Sequence, residues 1–241
     1  MQDDKDIYEW KSSKMIAYHE RQILTPYRST VLFEKFLSEN ISLDNSQIID
    51  IACGAGGATR YLADRHKSSV FLGMDFNESF DTYFSGGSNY DFEVGNLYEM
   101  NPNWKNKFDG ALCLQTLSWL PEYKEALKNI CDLETNWIAL SLLGYEGKIN
   151  FNIGVENYES LTPEGDLTHS WYNIYSLPLM KEFLEIYGFT KCVYKEFEID
   201  IDLEKPSSMD MGTYTIMTKE NKRLQVSGAL MMPWYFIYAE R

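Results

Sequence analysis

The sequence predicts an α/β protein built on a mostly parallel, doubly wound sheet of seven strands. Three observations carry this. Apolar runs of strand length alternate with segments of helical periodicity from Gln47 to Leu143. The runs are continuously apolar, as strands covered on both faces are. The first run passes into its helix through a cluster of glycines, which lets the chain bend tightly.

Two helices are expected before the sheet, one through Met15 to Leu24 and one capped by Thr25 with Pro26 at its first position. Val31, Leu32, Phe33, Phe36 and Leu37 give the second an apolar face. After the turn at Asp44 to Ser46 come strand Gln47 to Ala52, helix Ala58 to Arg65 and strand Val70 to Asp75. Strands Tyr90 to Val94 and Phe108 to Leu114, helix Glu122 to Leu133 and strand Trp137 to Leu143 continue the pattern. Ile149, Phe151 and Ile153 alternate with polar residues as a half-exposed strand does, before a long aromatic loop from Gly154 to Tyr175. Ser176 caps a helix that carries Leu179, Met180, Phe183, Leu184 and Tyr187 and stops at Gly188. Phe197, Ile199 and Ile201 mark a strand, Thr213 to Thr218 and Arg223 to Val226 a hairpin, and Trp234 to Tyr238 the final strand.

At 241 residues, with 44% hydrophobic and 24% charged residues, the chain is expected to fold around one main core. A net charge of −14 without any Lys/Arg run argues against nucleic acid and anionic membrane as partners. The acidic start lacks a signal-peptide pattern and the apolar runs fall short of a membrane span, so a cytoplasmic location is expected. Cys53, Cys113, Cys131 and Cys192 are far apart and read as buried free thiols. His19, His66 and His169 show no metal-ligand spacing, so no metal site is expected.

The chemistry concentrates at Asp50-Ile51-Ala52-Cys53-Gly54-Ala55-Gly56-Gly57, between a strand and a helix. A glycine turn brings backbone close to a nucleotide-like ligand. Thr59 stands where a dinucleotide fingerprint has its third glycine, which weakens a pyrophosphate reading. Asp50 at the strand end suits an ammonium group, which S-adenosylmethionine carries and NAD does not.

This segment resembles motif I of the class I S-adenosylmethionine-dependent methyltransferases, with Ala52 in place of the motif's first glycine. The resemblance runs from about Gln47 to Leu143 and implies a Rossmann-like sheet whose last strand is antiparallel. It implies S-adenosylmethionine as cofactor, held by Asp50, Ala52, Gly54 and Gly56. Asp75 matches the acid that takes both ribose hydroxyls, and Phe76 is placed to lie against adenine. Gly95-Asn96-Leu97 matches the stretch that meets the adenine edge, with Asn96 in place of an acid. Gln115 falls beside the methionine moiety and Trp119 near the methyl group. Ordinary roles stand beside these: Asp75 as a cap before Asn77, Asn96 as a turn residue, Trp119 as core, Cys53 and Cys113 as inert packing.

Within one methyltransferase domain over 1–241, residues 1–45 then form an N-terminal helical cap, 46–144 the cofactor-binding half and 145–241 a substrate-side elaboration. The acceptor pocket is expected over the carboxyl ends of the strands, walled by Tyr18, His19, Tyr145, His169, Trp171, Tyr172 and Tyr175. His19 and His169 are the candidate bases, because histidine titrates near neutrality. The fourth strand lacks the Pro-Pro-aromatic signature of adenine and glutamine N-methylation, and Gln115-Thr116-Leu117 stands there instead. The aromatic, acidic setting points to a small-molecule acceptor such as a sugar, a nucleotide sugar, an amine or another metabolite. A protein or RNA methyltransferase, a cofactor-binding module without catalysis and an NAD-dependent reductase are the alternatives, and a homodimer through the hairpin at Thr213 to Val226 is left open.

Overall fold

The computed structural model describes residues 20–158, 167–207 and 212–241. Helix α1 (Arg28–Asn40) precedes strand β1 (Gln47–Ile51), helix α2 (Gly57–Arg65), and strands β2 (Val70–Asp75), β3 (Tyr90–Val94) and β4 (Gly110–Leu114). Helix α3 (Lys124–Cys131) and strand β5 (Trp137–Tyr145) complete the first half. Then come β6 (Gly154–Tyr158), β7 (Leu167–Trp171), β8 (Tyr175–Ser176), helix α4 (Leu177–Ile186) and β9 (Lys191–Glu196). Strands β10 (Thr213–Met217), β11 (Arg223–Ser227), β12 (Leu230–Met231) and β13 (Trp234–Glu240) close the chain.

The main sheet runs β3-β2-β1-β4-β5-β13-β9, with the short β8 beside β5. The first five strands in that order pair in parallel, while β13 is antiparallel to both β5 and β9. The expected sheet is therefore present, with its final strand reversed. Strands β1, β4 and β5 are almost wholly buried because cover lies on both faces. On one face Phe33, Phe36 and Leu37 of α1 pack with Ile48, Leu112, Phe236 and Tyr238. On the other, Leu127, Ile130, Leu177, Met180 and Leu184 of α3 and α4 pack with Ile49, Leu140 and Ile237. Each such side chain contributes about 1.5–3 kcal/mol by leaving water.

Five expectations need correction. Helix α1 starts at Arg28, and Tyr27 rather than Thr25 holds the cap position, without a side-chain capping bond. Residues 149–153 make no strand; Phe151 forms only an isolated bridge to Ile174 and stays exposed. The loop from Gly154 to Tyr175 contains the hairpin β6–β7, whose alternating polar residues masked its strands. The strand before the hairpin at Thr213 is Lys191–Glu196 rather than 197–201; Phe197 donates its N–H to Trp234 and the chain then leaves the sheet. Only Cys113 and Cys131 are fully buried, while Cys53 and Cys192 are half-buried. Ser176 does cap α4 by accepting from the Leu179 N–H, and Gly188 takes φ +87° just beyond its end.

Candidate functional site

Strand β1 has β2 on one side and β4 on the other, so the strand order reverses there and a crevice opens at the carboxyl ends. A cavity of about 500 Å³, its open mouth included, occupies that place. Asp50, Ala52 and Cys53 line it from the end of β1, and Leu114 and Gln115 from the end of β4. Tyr27, Ser29, Thr30 and Phe33 roof it from α1.

The turn between β1 and α2 alternates into the left-handed region: Ala52 has φ +56°, Gly54 φ +56° and Gly56 φ +76°. Gly56 is held to glycine twice over, since a Cβ there would lie 2.2 Å from the Phe84 ring. Ala52 adopts the same region with a side chain, at a cost of about 1–2 kcal/mol. Gln115, at φ +58°, is a second strained residue of the lining. Such strain gathers where the surroundings impose a geometry on a site.

Asp50 is wholly buried, and its Oδ2 accepts from the Thr59 hydroxyl at 2.6 Å. Burial pushes its carboxyl up to about 7, against the Thr59 bond and with the help of the Asp75 charge. Asp75 is buried too, and burial raises its pKa. Its Oδ2 accepts from Gly54 N–H at 2.9 Å and its Oδ1 from Asn77 N–H at 3.1 Å. Among the described residues no cationic side chain pairs with either acid. Two buried carboxylates without a counter-cation fit a ligand that brings its own positive charge and hydroxyl donors. S-adenosylmethionine has both, so the residues present fit it.

The other expected residues divide. Phe76 is exposed beside Asp75. Asn96 accepts from Tyr98 N–H at 2.9 Å through its side-chain oxygen, the ordinary turn role, while keeping a free lone pair. Leu97 is core, packed in the cluster under α3. Trp119 stacks edge-on to Tyr172 at 4.3 Å and lies 6.0 Å from Trp234, in a cluster with Met232 and Leu143 apart from the cavity lining. Tyr145 is exposed and packs on Phe151, Trp171 stands opposite Gly154, and His169 is an exposed residue of the hairpin. None of these three lines the cavity. Tyr175 does not line this cavity either: it is buried against Tyr123, its hydroxyl accepts from Asn173, and it borders a second hollow with Pro121 and Asn150. Tyr18 and His19 lie outside the described residues.

Sequence reasoning missed Ser29, Thr30, Ser141 and Thr59. Ser29 and Thr30 share a face with Phe33 at helical spacing. Gln115 donates to the Ser29 hydroxyl at 3.3 Å, which ties the roof to β4.

A family model described as a methyltransferase domain matches residues 49–134, which contain the turn, both acids, Asn96 and Gln115. Over that stretch the chain is similar to a methyltransferase domain. Solved structures with the same fold include a chain of the complex between the Haloferax volcanii Trm112 methyltransferase activator and a putative methyltransferase, at TM-score 0.59 and 12% identity over 93% of this chain and 94% of that one. Another is the magnesium protoporphyrin IX methyltransferase of Synechocystis with bound S-adenosylhomocysteine, at 0.53 and 13%, covering 94% and 84%. A third is the Burkholderia thailandensis 1,6-didemethyltoxoflavin N1-methyltransferase, at 0.54 and 15%, covering 95% and 86%. A curated relative, an uncharacterised protein of Rickettsia prowazekii, is 25% identical over 126 residues. That stretch is 48% of this chain but spans only 23% of the relative's length. No helix among the described residues is long and apolar enough to cross a membrane.

Proposed function

We propose that the chain transfers a methyl group to a small-molecule acceptor. The observation that carries this is the buried, cation-free Asp50 at the head of the glycine turn, facing a cavity closed on its other side by Gln115. When bound, S-adenosylmethionine supplies an electrophilic methyl carbon on a sulfonium. Asp50 receives the ammonium of its amino-acid part, and Gln115 with the α1 roof encloses that end. Asp75 has acceptor lone pairs left for two ribose hydroxyls, Phe76 offers a face to adenine, and Asn96 an acceptor to its edge. The protein's part in the transfer is alignment, together with removal of a proton where the acceptor carries one. His169 is the candidate base among the described residues, and its distance from the cavity lining makes it a base only for an acceptor that reaches the hairpin.

The acidic charge of −14 and the relatives that act on protoporphyrin and on a toxoflavin precursor support a small metabolite. The Haloferax complex with an activator supports a second reading, a methyltransferase that works with a protein partner. Calorimetry with S-adenosylhomocysteine and NAD, on the wild type and on folded Asp50→Ala and Asp75→Ala, tests the site. S-adenosylhomocysteine is expected to bind in preference to NAD, and each variant to bind it at least tenfold more weakly. Preference for NAD, or undiminished affinity in both variants, would overturn the reading. Methyl transfer to RNA that weakens steeply with salt would replace the metabolite acceptor.

A further inference from the structure

We propose that Thr59 is a positioning residue for the cofactor, its hydroxyl holding the Asp50 carboxylate in the orientation from which it receives the ammonium group. This rests on the assignment of Asp50 to that ammonium. Thr59 lies in the first turn of α2 and is fully buried. A buried hydroxyl stabilises nothing unless it is hydrogen-bonded, and in a helix its ready partner is the carbonyl one turn back. Here it reaches instead across to β1, 2.6 Å from Asp50 Oδ2. An ionised carboxylate only accepts, so Thr59 donates, and its β-branched side chain has few rotamers from which to do so.

The bond fixes one carboxylate oxygen and leaves Oδ1 for the ligand. Among the described residues the ionisable groups that act on Asp50 are acidic: Asp75 from β2, Cys53 from the turn and Cys113 from β4, with Tyr27 in the roof of the same cavity. Among the described residues Thr59 therefore supplies the one opposing influence before the cofactor arrives. Without it the carboxylate turns about its own bond and holds a proton to higher pH.

Calorimetric titration of S-adenosylhomocysteine from pH 5.5 to 9 tests this on the wild type, Thr59→Val and Thr59→Ser. Wild-type affinity is expected to rise with pH and then level. Thr59→Val is expected to bind about ten- to a hundredfold more weakly at neutral pH, with the midpoint of that rise moved up by about one unit. Thr59→Ser, which keeps the hydroxyl, stays within about threefold of wild type at an unmoved midpoint. Should Thr59→Val fail to fold, Thr59→Ala, which adds no bulk, is read in the same way. A hydroxyl-free variant with the wild-type midpoint overturns the proposal, whether its affinity is unchanged or uniformly reduced. A wild type that binds no S-adenosylhomocysteine at any pH overturns the assignment of Asp50 instead.

Discussion

Asp50 makes the apo protein's stability depend on pH in an unusual direction. Its folded carboxyl sits at about 7, because burial outweighs the Thr59 bond, against about 3.9 in the unfolded chain. Between those values the folded form keeps a proton that the unfolded form has shed, so stability falls as pH rises through the window. The slope is about 1 kcal/mol per pH unit. The exposed acids Asp200 and Asp202, held below their usual range by Arg28 and Arg223, act only at lower pH. Urea unfolding without cofactor should therefore show higher stability at pH 5.5 than at pH 7.5, and Asp50→Asn should flatten the difference. Equal slopes in the two proteins would refute it. Two residues away, Ala52 stores backbone strain of the opposite remedy. Ala52→Gly removes about 1–2 kcal/mol of left-handed strain and adds about 0.5–1 kcal/mol of unfolded-state entropy. The variant should be about 0.5–1 kcal/mol more stable by denaturation and retain cofactor affinity; a loss of stability would show that the methyl packs usefully.

The turn between β1 and α2 works as an element because Phe84 braces it from below. Its ring lies against both Gly56 and Gly73, and against Phe92 at 5.0 Å. Gly56→Ala combines left-handed strain with a clash against that ring and should cost about 2–4 kcal/mol. In a Phe84→Leu background the clash disappears and only the strain remains, so a double-mutant cycle should show coupling of about 1 kcal/mol or more. Additive effects would mean that the ring does not brace the turn. The glycines at 54 and 56 were legible as a turn from their spacing alone. Phe84, far along the chain, was not, because periodicity reports local order and says nothing of which ring meets which glycine. The same limit hid the hairpin β6–β7. Elements with long apolar or amphipathic runs, β1, β2, β3, β5 and α4, were readable to within a residue or two, since burial itself writes their pattern.

Across the whole molecule the two ends of the sheet divide the work. Its carboxyl ends carry the cavity, where the order of strands reverses at β1 and β4. Asp50 and Asp75 were legible there because a carboxylate at a strand end interrupts an apolar run. The roof residues Ser29 and Thr30 were not, since a polar residue on a helix reads as solvent-facing until the fold lays it over a cavity. The opposite end is closed by Arg241, just beyond the antiparallel strand β13, whose Glu240 lies beside Trp137 at the start of β5. Its guanidinium donates to the Thr135, Tyr187 and Cys131 carbonyls and lies 4.4 Å over the Phe189 ring. It thereby satisfies the carboxyl-terminal carbonyls of α3 and α4 at once. Arg241→Ala should lower stability by about 1–3 kcal/mol, through three charged hydrogen bonds that are partly replaced by water. Affinity for S-adenosylhomocysteine, measured well below the unfolding temperature, should not change, because the bonds lost lie at the end of the sheet away from the ligand. A variant with wild-type stability, or one whose affinity falls while it remains folded, would contradict that division between the two ends.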